Sequence, residues 1–257
     1  MGQAPSPASS GAIVEGNRVA NVTKIGIETF TNLAKLGSHE RVRDVRIRGN
    51  RVSGALGAGI TSNGGVGIEI LDNEVWGTGG PGVMGNGGAG ISCGGPSERI
   101  LIADNRVHDT GGAGIRANCQ GDDVTIRGNR IERACQDRLV EQGALHLVGR
   151  NEGKSRGLVI EGNQVFVGAG ECTYGFSLVF WRDVRMVGGA FLGGRRAALY
   201  ITNATDLRLE GVNVSSLHAP PLWVLSKVEN ITVAADVKMN RRSIKNDGAR
   251  NFVIEKR

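Results

Sequence analysis

The chain has 257 residues, of which 40% are hydrophobic, 41 are glycine and only 4% are aromatic. That composition suits thin layers of Val, Ile and Leu turned by frequent tight bends, and argues against a large aromatic-centred core. No apolar run of about 18 residues occurs, which argues against a membrane partner. The formal net charge of +6 favours a polyanion, and with no nucleic-acid module and few rings for base stacking that polyanion is not expected to be nucleic acid.

Residues 1–10, MGQAPSPASS, are small and polar and lack the basic start and apolar stretch of a signal peptide. They are expected to form a tail, with 11–257 as a single domain. From residue 11 a short phrase recurs: AIVEGNRV at Asn17, VRIRGNRV at Asn50, IEILDNEV at Asn73, ILIADNRV at Asn105, VTIRGNRI at Asn129, LVIEGNQV at Asn163, and a weaker LRLEGVNV at Asn213. A Gly-Ile-like strand start precedes each phrase, as in Gly59-Ile60, Gly90-Ile91 and Gly114-Ile115. A repeat of this length predicts a solenoid, in which each unit buries its apolar face only against its neighbours.

One unit reads as three strands. Gly114-Ile115-Arg116-Ala117 begins the first, Val124-Thr125-Ile126 is the second, Gly128-Asn129 is a bend and Arg130-Ile131-Glu132 is the third. Gly and Asn tolerate the left-handed backbone of such a corner. Three short strands per turn, all in one sense, predict an all-β, right-handed parallel β-helix of about eight turns with three parallel sheets. Asn50, Asn73, Asn105, Asn129 and Asn163 are expected to stack at one corner, as side-chain amides do in other stacked strands. The pattern resembles the pectate-lyase-like family of right-handed β-helices, found in polysaccharide lyases, epimerases, some glycoside hydrolases and phage tailspikes. The resemblance spans residues 11–255 and implies the fold; no catalytic motif of a particular subfamily is matched.

Insertions point to a working face. Ile27 to Val45 and Leu145 to Leu158 are longer than the usual first-to-second-strand step, and the segments after Asn73, Asn129 and Asn163 are longer than the usual return. All of them border the first-strand sheet, and the turn centred on Leu145 is flanked on both sides. The first insertion contains Thr31 to Leu36, which predicts one or two helical turns; Val75 to Ala89 is a glycine-rich loop, either a lid or slack chain.

If Ile60, Ile91, Ile115, Leu145, Phe176 and Leu199 point inward, the outward ladder reads Glu28, Thr61, Ser92, Arg116, His146, Ser177, Tyr200. Rungs lie about 4.8 Å apart, so Arg116, His146 and Ser177 are expected side by side. Asn63 and Asn118 share that face two positions on. Arg116 can clamp a carboxylate, His146 can move a proton, and Glu141 can orient the imidazole; the plainer readings are a solvated arginine, an exposed histidine and an ordinary loop glutamate. Tyr174 and Tyr200, the two tyrosines, map to this sheet or its edge and suit acid chemistry or sugar stacking. Arg150, Lys154 and Arg156 in RNEGKSR are expected at the rim.

Proton abstraction beside a uronate carboxylate needs a base and a cation, which Arg116, His146 and a tyrosine can supply. The expected catalytic set is therefore His146, Arg116, Tyr174 and Glu141, with Arg150, Lys154, Ser177, Tyr200 and Asn118 binding substrate. The expected function is a lyase or epimerase acting on an acidic polysaccharide, in an extracellular or periplasmic setting. The alternatives are a non-catalytic binding or tail-fibre-like solenoid and a glycoside hydrolase. Hydrolysis needs facing carboxylates, and the ladder carries only Glu28 unless Asp137, Glu141, Glu152 or Glu171 fold in.

No metal site is expected: the four cysteines show no CxxC spacing, and calcium finds only the turn pair Asp122-Asp123. Cys93 with Cys119 and Cys135 with Cys172 fall on successive repeats, so each pair is open to a disulfide or to two buried thiols. The Asn-x-Ser/Thr triplets at Asn21, Asn203, Asn213 and Asn230 fit turn positions and are read as chance. Open solenoid ends would expose edges, so the chain is expected to oligomerise or to be part of a larger protein.

Overall fold

The computed structural model describes residues 10–31, 41–80, 88–137, 143–151, 155–168, 172–216, 219–225, 227–240 and 243–256. These form 27 strands in three parallel sheets, with no helix among the described residues. The first sheet has nine strands, from Ile27–Phe30 to Lys245–Asp247; the second has ten, from Ile13–Glu15 to Arg250–Ile254; the third has eight, from Arg18–Ala20 to Asn213–Ser215. Successive turns are neighbours in every sheet: Ile115–Cys119 pairs with Ile91–Gly95 on one side and Gly143–Val148 on the other. This is the right-handed parallel β-helix that the repeat predicts.

Each sheet sends one column of apolar side chains inward. In the first sheet Ile60, Ile91, Ile115, Leu145, Phe176 and Leu199 lie in one register, all fully buried. Val52, Val75, Val107, Ile131 and Val165 do the same in the third. Each such side chain is worth about 1.5–3 kcal/mol in apolar burial. The same packing explains the Gly-Ile start. A Cβ on Gly59 would run into Val75 Cγ1 and lie 2.8 Å from the Gly90 carbonyl oxygen, so only glycine fits.

The corner between the second and third sheets holds the asparagine ladder. The backbone N–H and side-chain amide of each asparagine both donate to Oδ1 of the next: Asn73 to Asn105 at 2.9 and 3.0 Å, Asn105 to Asn129 at 3.0 and 2.9 Å. The same amides reach back to strand carbonyls, as Asn105 Nδ2 does to Ile70 O at 2.9 Å. Asn50, Asn73, Asn105, Asn129 and Asn163 are all buried, and Asn17 adds an exposed sixth rung. The left-handed residue is the one before each asparagine: Gly128 has φ of 63° and Asp104 of 57°. Asn213 does not extend the ladder. Its partner is Ala190, which puts Gly189 and then the buried Val212 at the corner.

A second column of left-handed residues runs through the second sheet, one per strand. In register these are Gly11, Asp44, Gly67, Arg99, Asp123, Gly157, Asp183, Asp206, Asn230 and Asn251. Nine of these ten are Gly, Asp or Asn, the types that tolerate positive φ; Arg99 is the exception. Near its end the column is bonded too: Asn251 Nδ2 donates to Asn230 Oδ1 and Asn230 Nδ2 to Asp206 Oδ1, at 2.9 and 2.7 Å. Of the four Asn-x-Ser/Thr positions, Asn21 and Asn203 are left-handed turn residues, Asn230 is left-handed within the strand Glu229–Val233, and Asn213 is not left-handed.

The cysteine pairs resolve differently. Cys135 and Cys172 form a disulfide across 37 residues, while Cys93 and Cys119 are buried free thiols. A hydrogen bond with Cys93, together with burial, holds the Cys119 thiol above its usual pKa. The described fold begins at Ser10, which bridges to Arg43. Ile13 and Phe30 on the first turn and Val253 on the last are exposed apolar side chains. The helical expectation over Thr31 to Leu36, beyond Thr31 itself, and the tip of the glycine-rich loop lie outside the described residues.

Candidate functional site

The outward ladder of the first sheet is aligned as its spacing requires. Thr61, Ser92, Arg116, His146, Ser177 and Tyr200 pair rung to rung, and Trp223 and Lys245 continue the row. Alternation alone predicts that these side chains are exposed. Most are not: Thr61 and Ser92 are 4% exposed, Ser177 is 1%, and Arg116 and His146 are half-buried, while Lys245 at the far end is exposed. A polar row withdrawn from bulk water is where electrostatic interactions are strongest.

His146 sits at the centre. Its Nδ1 is 2.5 Å from Ser177 Oγ. With Nδ1–H donating to that hydroxyl, the lone pair stands on Nε2. Burial disfavours the imidazolium, and Arg116 on the neighbouring rung adds repulsion; together they hold the pKa at about 4. Burial also lowers the pKa of Arg116. The imidazole is therefore neutral, oriented and next to a guanidinium.

Past Ser177 the row becomes aromatic. Tyr174 and Tyr200 stack at 4.2 Å and 11°, and Trp223 meets Tyr200 edge-on at 5.6 Å. Lys245 Nζ lies 4.0 Å over the Trp223 ring, and the indole N–H donates to Asp247 Oδ2 at 2.8 Å. Tyr174 opens the strand Tyr174–Val179 and is 6% exposed; Tyr200 and Trp223 are half-buried. Trp223 was not among the expected site residues; the register sets Leu222 beside the inward Leu199 and Trp223 beside Tyr200.

Asn118 lies on the same face two residues beyond Arg116, opposite Gly94. Arg150 is placed elsewhere. It lies past the end of its strand, its Nε donates to Gln120 O at 2.8 Å, and it lines a recess with Arg41, Glu98 and Asp122 at the edge of the second sheet. Arg156 is in the second-sheet strand Ser155–Glu161 and is exposed. Glu141 and Lys154 lie outside the described residues, as do Glu152 and Glu171. A recess of about 660 Å³ occurs on the second sheet, where Asp44, Arg46, Glu69 and Arg99 line it and Arg46 is tied to Glu69. Among the described residues, no three His, Cys, Asp or Glu side chains cluster as metal ligands.

The sequence matches no protein-family model and no curated protein. Solved structures do share its architecture. The chain is similar to the A-module of the mannuronan C-5 epimerase AlgE6 of Azotobacter vinelandii, at 12% identity and a TM-score of 0.56, over 97% of this chain and 79% of that one. It is similar to the periplasmic alginate epimerase AlgG, at 11% identity and a TM-score of 0.57, over 95% of this chain and 62% of that one. The enzymatically active domain of tailspike protein 2 from bacteriophage CBA120 matches at 13% identity and a TM-score of 0.55, over 93% of this chain and 38% of that one. At such identities the likeness is one of fold: the protein is a right-handed parallel β-helix.

Proposed function

We propose that the outward face of the first sheet binds an acidic polysaccharide and acts on it by proton abstraction, as a lyase or epimerase. The observation that carries this reading is the contiguous row Arg116, His146, Ser177, Tyr200, in which a neutral, oriented imidazole stands between a guanidinium and a tyrosine step. Arg116 pairs with a uronate carboxylate. That pairing offsets the repulsion Arg116 exerts on His146 and so raises the basicity of the imidazole when substrate is bound. His146 Nε2 takes the proton from the carbon beside the carboxylate, and the electron pair moves into the carboxylate that Arg116 holds. From there a lyase breaks the neighbouring carbon–oxygen bond, with Tyr174 or Tyr200 protonating the leaving oxygen. An epimerase returns a proton to the opposite face. The half-buried Tyr200 and Trp223 rings offer apolar surface for adjoining sugars.

Two epimerases named for mannuronan and alginate share the fold, which is consistent with a uronan as substrate. Hydrolysis is less well supported, because the described ladder has Glu28 at its start and Asp247 beside its far end, not a facing pair. The disulfide Cys135–Cys172 supports an extracellular or periplasmic setting.

The test is incubation with a panel of polyuronates, following unsaturated product by ultraviolet absorbance and epimerised residues by NMR. Activity that is lost in His146→Ala and Arg116→Ala supports the proposal. Neither product, with polyuronate binding unchanged in both variants, leaves a non-catalytic binding solenoid as the better account.

A further inference from the structure

The third sheet has an outward face that the first-sheet row does not use. Two rows run up it, two residues apart, with the buried Val52, Val75 and Val107 between them. One row carries rings. Trp76 and His108 stand on successive turns, stacked at 6.0 Å and 9°. The turn before Trp76 has only Ser53 in register, so the indole face on that side is covered by one small side chain. The other row carries Arg18, Arg51, Arg106 and Arg130, interrupted only by Glu74.

The ring stack is held in place. His108 Nδ1 is 2.6 Å from Asp109 Oδ2, and Arg133 clamps both oxygens of that carboxylate at 2.6 and 2.7 Å. The Arg133 guanidinium holds the Asp109 carboxyl well below the usual carboxylate range. Asp109 and Arg133 both adopt left-handed backbone, with φ of 53° and 47°. Strain at an arginine persists only where its surroundings fix it; here it aims the clamp that orients His108.

The arginine row is under-neutralised. Glu74 is shared between Arg51 at 3.5 Å and Arg106 at 3.3 Å, and Arg130 pairs with Glu132 at 2.7 Å. Arg18 makes no ion pair among the described residues. Four arginines against Glu74 and Glu132 leave two positive charges alongside a flat indole.

We propose that this face is an accessory binding strip for an acidic saccharide chain, with a sugar ring on the open face of Trp76 and carboxylates on the arginine row. A planar hydrophobic ring beside fixed guanidinium groups matches a uronate residue, whose ring offers C–H groups and whose edge carries a carboxylate. Nucleic acid fits less well, because one open ring face gives no series of platforms for successive bases. The strip shares its ligand class with the first-sheet row but stands on separate residues and needs no chemistry there.

The experiment uses the full chain carrying Arg116→Ala and His146→Ala, which removes the guanidinium and the imidazole of the first-sheet row. Mannuronate hexasaccharide, cellohexaose and a single-stranded oligonucleotide are titrated by calorimetry at low salt. The hexauronate is expected to bind this background, and Trp76→Ala to weaken it about tenfold. Arg51→Gln is expected to weaken it and to flatten its salt dependence, and Trp76→Phe to retain most of the affinity. Cellohexaose is expected to bind far more weakly. Loss of all hexauronate binding in the background, no effect of Trp76→Ala, equal binding of cellohexaose, or tighter binding of the oligonucleotide each overturns the proposal. Should Trp76→Ala lower the melting temperature too far to titrate, Arg51→Gln and Trp76→Phe decide. Failure of the proposed chemistry would instead appear in the polyuronate assay, with hexauronate binding intact.

Discussion

Asn105→Ala removes one rung from the middle of the asparagine ladder. Five side-chain hydrogen bonds vanish: two that Asn73 donates to Oδ1, and three that Nδ2 donates to Ile70 O, Ala103 O and Asn129 Oδ1. Their consequences differ. Ala103 O keeps the Asp72 N–H, and Asn73 Nδ2 keeps Ile47 O. The backbone N–H of Asn73 and one hydrogen of its amide lose their acceptor while remaining buried. An orphaned buried donor costs about 1–3 kcal/mol, so the variant is expected to lose about 2–5 kcal/mol. Urea unfolding followed by far-ultraviolet circular dichroism measures this as a lower midpoint. Asn213→Ala is the control: the same residue type in a similar phrase, exposed and outside the ladder, with an expected change within about 0.5 kcal/mol. Equal midpoints for the two variants would show that the ladder is geometry without energetic weight.

Ile115→Asp places an unpaired carboxylate between the buried Ile91 and Leu145, and a loss of about 4 kcal/mol or more is expected as a failure to accumulate folded protein. Removing the disulfide as Cys135→Ser with Cys172→Ser is expected to cost about 2–4 kcal/mol, read as a lower urea midpoint. His146 is a base whose pKa is depressed on folding, from 6.5 to about 4. Its neutral form is therefore favoured, stability is full above pH 6.5, and up to about 3 kcal/mol is lost as pH falls from 6.5 toward 4. His146→Gln is expected to remove that part of the acid sensitivity, and an NMR titration of His146 showing a midpoint near 6.5 would contradict the assignment.

The inner column and the asparagine corner were readable because they repeat the same letters in register. Where one letter moved, the reading slipped: in LRLEGVNV an extra residue stands between Gly211 and Asn213, and Val212 takes the corner. The second left-handed column escaped notice for the opposite reason. Its requirement is a backbone angle, met by Gly157, Asp183 or Asn230 alike, so no single letter marks it. At the candidate site, alternation placed Arg116, His146, Ser177 and Tyr200 on one row but could not show that Ser177 is buried, since alternation fixes direction and not cover. Arg150 looked like a rim cation from its loop; the Gln120 carbonyl that engages it is 30 residues distant and invisible to local pattern. The Trp76 and His108 stack was likewise within reach, three residues past the corner asparagine on successive turns, but only a register in hand pairs them.

The asparagine ladder also has a sense. From Asn50 to Asn163 each Oδ1 accepts from the asparagine one turn before; from Asn17 to Asn129 one amide hydrogen points to the turn after, while in Asn50 to Asn129 the amide also reaches back to a strand carbonyl. Each circuit thus presents the same acceptor upstream and the same donors downstream, whatever its loops contain. The circuit from Asn105 to Asn129 takes 24 residues and that from Asn129 to Asn163 takes 34, yet their corner bonds are interchangeable. A gene encoding such a chain can gain or lose a whole turn by duplication or deletion and meet matching surfaces on both sides. The number of turns is then free to drift, while the His146 row and the Trp76 strip, each built from several successive turns, survive only where the order of those turns is kept.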